Sequence, residues 1–213
     1  MKHAKRHPLI FGTIILTATG LITRVIGFFY RIYLSRLFGE EGMGIYQLLS
    51  PALSLSFSLT AAGYQTAISK YVAADSAKRP SGNLKPLLAG ISITLPLSLV
   101  TNAILFFSAD PIGIFLLKDH RTVPMLRILS FSVPFAALHA CINGYFYGKK
   151  KASVPALTQL LEQLARVSCV FLVTGADLAE GRTPSINAAV LGLTVGEIFS
   201  MLIALVCLYI HLY

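Results

Sequence analysis

Residues 20–50 read GLITRVIGFFYRIYLSRLFGEEGMGIYQLLS. Upstream, residues 9–21 are almost wholly apolar, and beyond Arg24 the apolar character resumes through Val25, Ile26, Phe28, Phe29, Ile32 and Leu34. Arg24 therefore lies inside a stretch long enough to cross a bilayer and not at its edge. A central arginine costs roughly 2.5 to 3.5 kcal/mol on insertion scales, and each Leu, Ile, Phe or Val returns roughly 0.3 to 0.6 kcal/mol. Over residues 9–34 that return sums to about 4 to 8 kcal/mol, against about 5 to 7 kcal/mol for Arg24 and Arg31 together. A helix so near balance needs neighbours, and its arginines need a bundle interior or a watery cavity.

The spacing of the arginines agrees. At about 100° per residue, Gly20, Arg24, Gly27 and Arg31 share one helical face, so two cations and two positions without side chains form one stripe. Arg36 is expected to snorkel to the headgroups, and Arg31 either to snorkel or to join Arg24.

Composition places the rest of the chain in the same medium. Hydrophobic residues make up 55% and charged residues 13% of the 213 positions, with a mean hydropathy of +0.70. These values exclude disorder and argue against a soluble domain. The net charge of +9 does not indicate nucleic acid, because the lysines and arginines fall into loops and not onto one surface motif. Cys141, Cys169 and Cys207 all lie in apolar segments without paired spacing, which reads as packing, with no disulfide and no metal site. Lys2, Lys5 and Arg6 before an apolar run resemble a signal peptide, but the run continues past Ala18-Thr19-Gly20, so an uncleaved first span is expected.

Six apolar spans follow, at about 9–37, 43–72, 86–107, 123–147, 154–173 and 186–212, making residues 1–213 a single lobe. The fold class expected is an all-α integral membrane protein, a six-transmembrane-helix bundle. Gly39-Glu40-Glu41-Gly42 forms the first turn, and residues 112–117 are too short to cross and should lie at the interface. One set of loops carries Lys2, Lys5, Arg6, Lys70, Lys78, Arg79, Lys85, Lys149, Lys150 and Lys151 against the single acid Asp75. In the other set, Arg36, Lys118, Arg121 and Arg182 are outnumbered by Glu40, Glu41, Asp110, Asp119, Asp177 and Glu180. The positive-inside rule makes the basic set cytoplasmic, with both termini inside.

Ionisable groups remain within the spans at Arg24, Arg31, Arg127, Glu162, Arg166 and Glu197. In the fifth span Gln159, Glu162, Gln163 and Arg166 follow i, i+3, i+4, i+7 along one face, and Glu162 can pair with Arg166. The stripe either glues helices together or lines a binding surface. Glu197, beside the Gly192/Gly196 pair, is either a packing-site acid or a proton carrier, and His139 reads as a helix contact. Ser50, Ser54, Ser58 and Ala61 make a small-residue face, and Pro51, Pro96, Pro134 and Pro155 let spans bend.

Three blocks then carry a family resemblance: ITRVIGFFYRIYLSRLFGEEGMGIYQLLSP, TAAGYQTAISKYVAAD and GYFYGKKKASVPALTQLLEQLARV. In this order they resemble the amino-terminal half of the stage V sporulation protein B-like polysaccharide transporters, within the multidrug/oligosaccharidyl-lipid/polysaccharide exporter superfamily. The resemblance implies two six-helix lobes around a central cavity and alternating-access export or flipping of lipid-linked saccharides for envelope or spore-wall synthesis. Thr23-Arg24-Val25-Ile26-Gly27-Phe28 is similar to a Ser-Arg-Val-Leu-Gly-Phe run in the first helix of the superfamily's lipid II flippase, so Arg24 is the residue carried over. That flippase also has arginines on its second helix, and none occurs here between Tyr46 and Ser69, which speaks against lipid II itself as cargo. Six spans against the family's twelve or more make the chain look like one lobe without its partner.

Taken from the residues, Arg24, Arg31, Gln159, Glu162, Gln163 and Arg166 describe a cationic, hydrogen-bonding cavity suited to an anionic pyrophosphate-linked sugar. A cation or drug antiporter of the same superfamily would be expected to expose unpaired acids, and a truncated, non-transporting membrane protein is the other alternative. The sequence shows no metal or nucleotide motif of an enzyme acting on lipid phosphate, and no cofactor is expected. The expected partners are a lipid-linked saccharide, the bilayer, and a second transmembrane lobe or second copy. The expected location is the bacterial cell membrane, as a multi-pass protein.

Overall fold

The computed structural model describes residues 8–78 and 84–212, so Lys2, Lys5, Arg6 and Arg79 lie outside it. Among the described residues the regular structure is entirely helical: α1 (Pro8–Leu48), α2 (Ser50–Phe57), a π-helical turn (Ser58–Ala62), α3 (Gly63–Lys78), α4 (Lys85–Phe107), the single turn α5 (Ala109–Pro111), a second π-helical turn (Ile112–Leu116), α6 (Thr122–Ser130), α7 (Ser132–Gly148), α8 (Ser153–Ala179) and α9 (Asn187–Leu212). Five stretches are long and apolar enough to cross a membrane: Gly12–Ser76, Lys85–Phe107, Thr122–Gly148, Ser153–Ala179 and Asn187–Leu212. The protein is an all-α membrane bundle.

The breaks in these stretches have local causes. Gly39 adopts φ 69°, ψ −176°, a conformation open to glycine without a Cβ penalty, and the chain folds back there. Tyr46 consequently packs near Leu34, which a straight helix would hold far away. The four-residue turn expected at 39–42 thus contracts to one residue, with Glu40 and Glu41 already helical. Pro51 and Pro134 each lack an N–H and crowd the preceding turn, and the chain breaks just before them, at Leu49 and Phe131. Phe115 and Leu116, on the short turn expected at the interface, are 77% and 74% exposed.

Contacts between helices fix their directions. α1 runs parallel to α8, with Gly12 beside Ala152, Gly27 beside Gln163, and Tyr33 hydrogen-bonded to Thr174 at 2.7 Å. α8 and α9 are antiparallel: Gly192 lies on the Arg166 backbone, Gly196 on that of Glu162, and Ser200 donates to the Thr158 carbonyl at 3.3 Å. α7 is parallel to α3, with Gly144 on Gln65 and Gly148 on Ser69. It is the central helix, packed on α3, α4 and α9 and buried at most of its positions from Ala137 to Gly148. By contrast α1 rests mainly on α8, so it lies at the rim and leaves Leu21, Phe28 and Phe29 exposed.

With these directions the loops sort to two ends. At one end Arg121 pairs with Glu41 at 2.7 Å and Asp119 at 3.0 Å, Arg127 with Asp110 at 2.5 Å, and Arg182 with Asp177 and Glu180. At the other, Lys151 donates to His211 Nδ1 at 2.9 Å. The Arg121 hydrogen bonds hold the Asp119 carboxyl below the ordinary carboxylate range. A depressed acid stabilises the fold above its unfolded value of about 3.9 and loses that contribution as pH falls through the folded value. Arg121→Ala is therefore expected to lower the melting temperature slightly near pH 7 and to make no difference once Asp119 is protonated. Thermal unfolding of both proteins across that range checks this; an equal loss at every pH would show that the clamp acts through packing.

Candidate functional site

α8 carries functional groups on two sides. Toward α1, Gln163 and Arg166 meet Arg24, Gly27, Tyr30 and Arg31, with Tyr46 arriving from beyond the Gly39 turn. Together they line an open recess of about 410 Å³. Gly27 faces α8 across the recess, where an added Cβ would make an ordinary van der Waals contact with Gln163 Nε2 at 3.5 Å. Arg24 and Arg31 are exposed on the rim of the recess, whereas Arg166 reaches it from within the bundle. Three arginines lining one concave surface favour an anion, with planar donors matched to phosphate or carboxylate oxygens. Arg166 Nε and Tyr30 Oη, on two residues that line the recess, are buried without a protein hydrogen-bond partner.

On its other side α8 faces α7 and α9. Arg166 Nη2 donates to Glu162 Oε1 at 2.5 Å, the i, i+4 pair expected from the sequence. Glu162, Glu197 and His139 each bring one ligand-capable atom within 4.8 Å of the others. His139 Nδ1 lies 3.6 Å from Glu197 Oε2. Its Nε2 receives Asn143 Nδ2 at 2.7 Å, beside Ser200 Oγ at 2.9 Å and Thr158 Oγ1 at 3.2 Å. Since the Asn143 amide donates to Nε2, the ring proton belongs on Nδ1, facing Glu197.

The single stripe expected at Gln159, Glu162, Gln163 and Arg166 is therefore divided. Gln163 and Arg166 join Arg24 and Arg31 in the recess; Glu162 turns away to Arg166 and Glu197, and Gln159 is exposed and does not line the recess. The physical reason is that α1 and α9 flank α8 from different sides, so the successive residues Glu162 and Gln163 meet different helices. Of the small-residue face, Ser50, Ser54 and Ser58 are exposed and Ala61 is buried; Ser56 and Thr60 are the buried polar residues of that segment. His139, Tyr30 and Tyr46 were not among the expected site residues. For His139 the available signal was a buried-type histidine four residues before Asn143 on an otherwise apolar helix.

Comparison with known proteins adds the lineage. The family described as "Polysaccharide biosynthesis protein" matches residues 9–213. Stage V sporulation protein B of Bacillus subtilis (strain 168) is 36% identical over 197 residues, covering 92% of this chain and 38% of that protein. The lipid II flippase MurJ of the same organism is 27% identical over 179 residues, covering 80% of this chain and 32% of the flippase. The chain thus spans well under half the length of these relatives. No solved structure matches it. With a family match across nearly its whole length and an apolar bundle built around an arginine-lined recess, the chain belongs to the polysaccharide biosynthesis protein family.

Proposed function

We propose that this chain forms one lobe of a membrane carrier that exports or flips lipid-linked saccharides, holding the pyrophosphate of the cargo between Arg24, Arg31 and Arg166. The observation that carries the reading is that these three arginines and Gln163 line one recess of about 410 Å³. Arginine forks bind phosphate oxygens, and the Gln163 amide can address sugar hydroxyls. The recess is open on one side, which suits closure by a second transmembrane lobe or a second copy during alternating access. The charge sorting between the two ends supports a reading of six crossings with the basic loops in the cytoplasm. That a relative bears the name lipid II flippase supports the transport class, and the lack of arginines between Tyr46 and Ser69 favours a different saccharide.

The test is binding of an undecaprenyl-pyrophosphate-linked sugar to the purified chain, with Arg24→Ala alongside. Losing one charge-assisted contact costs roughly 1.5 to 3 kcal/mol, so the variant should bind about tenfold or more weakly. Equal affinity in the two proteins would remove Arg24 from the site. Absence of binding to either, with both folded, would favour the non-transporting alternative.

A further inference from the structure

Arg166 belongs to two sites at once. It lines the recess with its Nε unpartnered, and its Nη2 holds Glu162 on the other side. Glu162 in turn lies within 4.8 Å of Glu197 and His139, in a setting where side-chain exposure is 16% for Glu162, 23% for Glu197 and 10% for His139. The titratable and charged groups facing this centre come from every helix packed on it: Arg166 from α8, Glu197 from α9, His139 from α7, and, across Arg166, Tyr30, Tyr46 and Arg31 from α1. Two carboxylates this close in a poorly solvated place are tolerated while a cation pairs with one of them. Without that cation they cannot both stay ionised.

We propose that anion binding in the recess and proton uptake by the Glu162–Glu197–His139 centre are a single linked event. The inference rests on reading the recess as an anion site. A pyrophosphate entering the recess draws the Arg166 guanidinium onto its own oxygens and away from Glu162. Glu162 and Glu197 then lie close together without a counter-charge, and the pair takes up one proton from the aqueous phase. His139, with Nε2 fixed by Asn143 and its Nδ1 proton turned to Glu197, orients that carboxylate and is the neighbouring relay. No bond breaks except the Arg166–Glu162 hydrogen bond, and the net change is one anion and one proton bound. Linkage makes the effect reciprocal: a rise in proton activity tightens anion binding by the factor that the anion tightens proton binding.

The probe is a prenyl pyrophosphate esterified by a sugar on its second phosphate, whose remaining acidic groups stay ionised from pH 5.5 to 8, so any pH dependence belongs to the protein. Affinity for the full chain in detergent is expected to rise up to about tenfold per unit fall in pH. Calorimetry in two buffers of different ionisation enthalpy should register about one proton taken up per ligand. Glu162→Gln frees Arg166 permanently, so it should bind more tightly than wild type near pH 8 and lose the slope; Glu197→Gln should lose the slope while remaining folded. Wild-type binding that ignores pH, or a slope that survives in Glu162→Gln, overturns the coupling and leaves the recess as an anion site. No binding at any pH overturns both.

Discussion

Gly144→Leu is expected to unseat α7 from α3 and to leave little folded protein after extraction from the membrane. A Cβ at Gly144 would stand 2.6 Å from the Gln65 carbonyl oxygen, 3.2 Å from its Cα and 3.3 Å from its carbonyl carbon. All three are backbone atoms of a helix, so no rotamer change relieves the clash. One turn on, a Cβ at Gly148 would stand 2.7 Å from Ser69 O and against the Val72 side chain, and the two glycines together let α3 and α7 lie backbone to backbone. Since α7 is the central helix, separating it from α3 also opens the core around Ile68, Val72, Ile142 and Tyr145. Even Gly144→Ala should cost about 1 to 3 kcal/mol of overpacking, partly offset by roughly 1 kcal/mol of better helix propensity. The control is Gly175→Ala on α8, where nothing lies within 4 Å and only the propensity gain applies. Thermal unfolding in detergent should therefore order the proteins Gly175→Ala, wild type, Gly144→Ala, Gly144→Leu from most to least stable. If Gly144→Ala were as stable as wild type, the helices would approach less closely than described.

These glycines also show where sequence reading reaches and where it stops. The insertion cost of Arg24 and Arg31, weighed against the apolar residues around them, was enough to require a bundle, and those two arginines do line its recess. The Glu162–Arg166 pair was readable too, because its partners share one helix and a fixed i, i+4 spacing. The fate of Gln159 was not, since helical phase says which residues share a face and not which neighbour covers that face. The same limit hid the meeting of His139, Glu162 and Glu197, which come from α7, α8 and α9 and are brought together by the Gly192 and Gly196 approach of α9 to α8. Gly144 and Gly148 have the spacing of Gly192 and Gly196, yet their partner helix is set by non-local packing. The contraction of the 39–42 turn to Gly39 depends on one backbone conformation that the acidic neighbours do not announce.

Arg166→Met is expected to be the most damaging single change in the polar interior, and the loss should be recoverable by a second mutation. The Arg166 and Glu162 side chains are only 20% and 16% exposed, so the pair is largely withdrawn from water. Removing one partner of such a pair costs about 3 to 5 kcal/mol, chiefly because the other charge stays buried without compensation. Here the remaining Glu162 would also stand beside Glu197. Glu162→Gln should be milder, since the orphaned Arg166 can turn to the open recess. In Glu162→Gln/Arg166→Met no buried charge loses its partner, Met fills part of the space of the arginine stem, and the Gln amide can hydrogen-bond to Glu197. The double variant should return to within about 1 kcal/mol of wild type, giving a coupling energy of at least about 2 kcal/mol in the cycle. Reversible unfolding in mixed detergent measures all four corners. Additive losses would mean that Arg166 stabilises the bundle by packing its stem between α1 and α9 and not by neutralising Glu162. A strong coupling would place the counter-charge of the acidic pair on the same side chain that faces the recess, the condition under which an anion arriving there must change the balance of charge on the other side of α8.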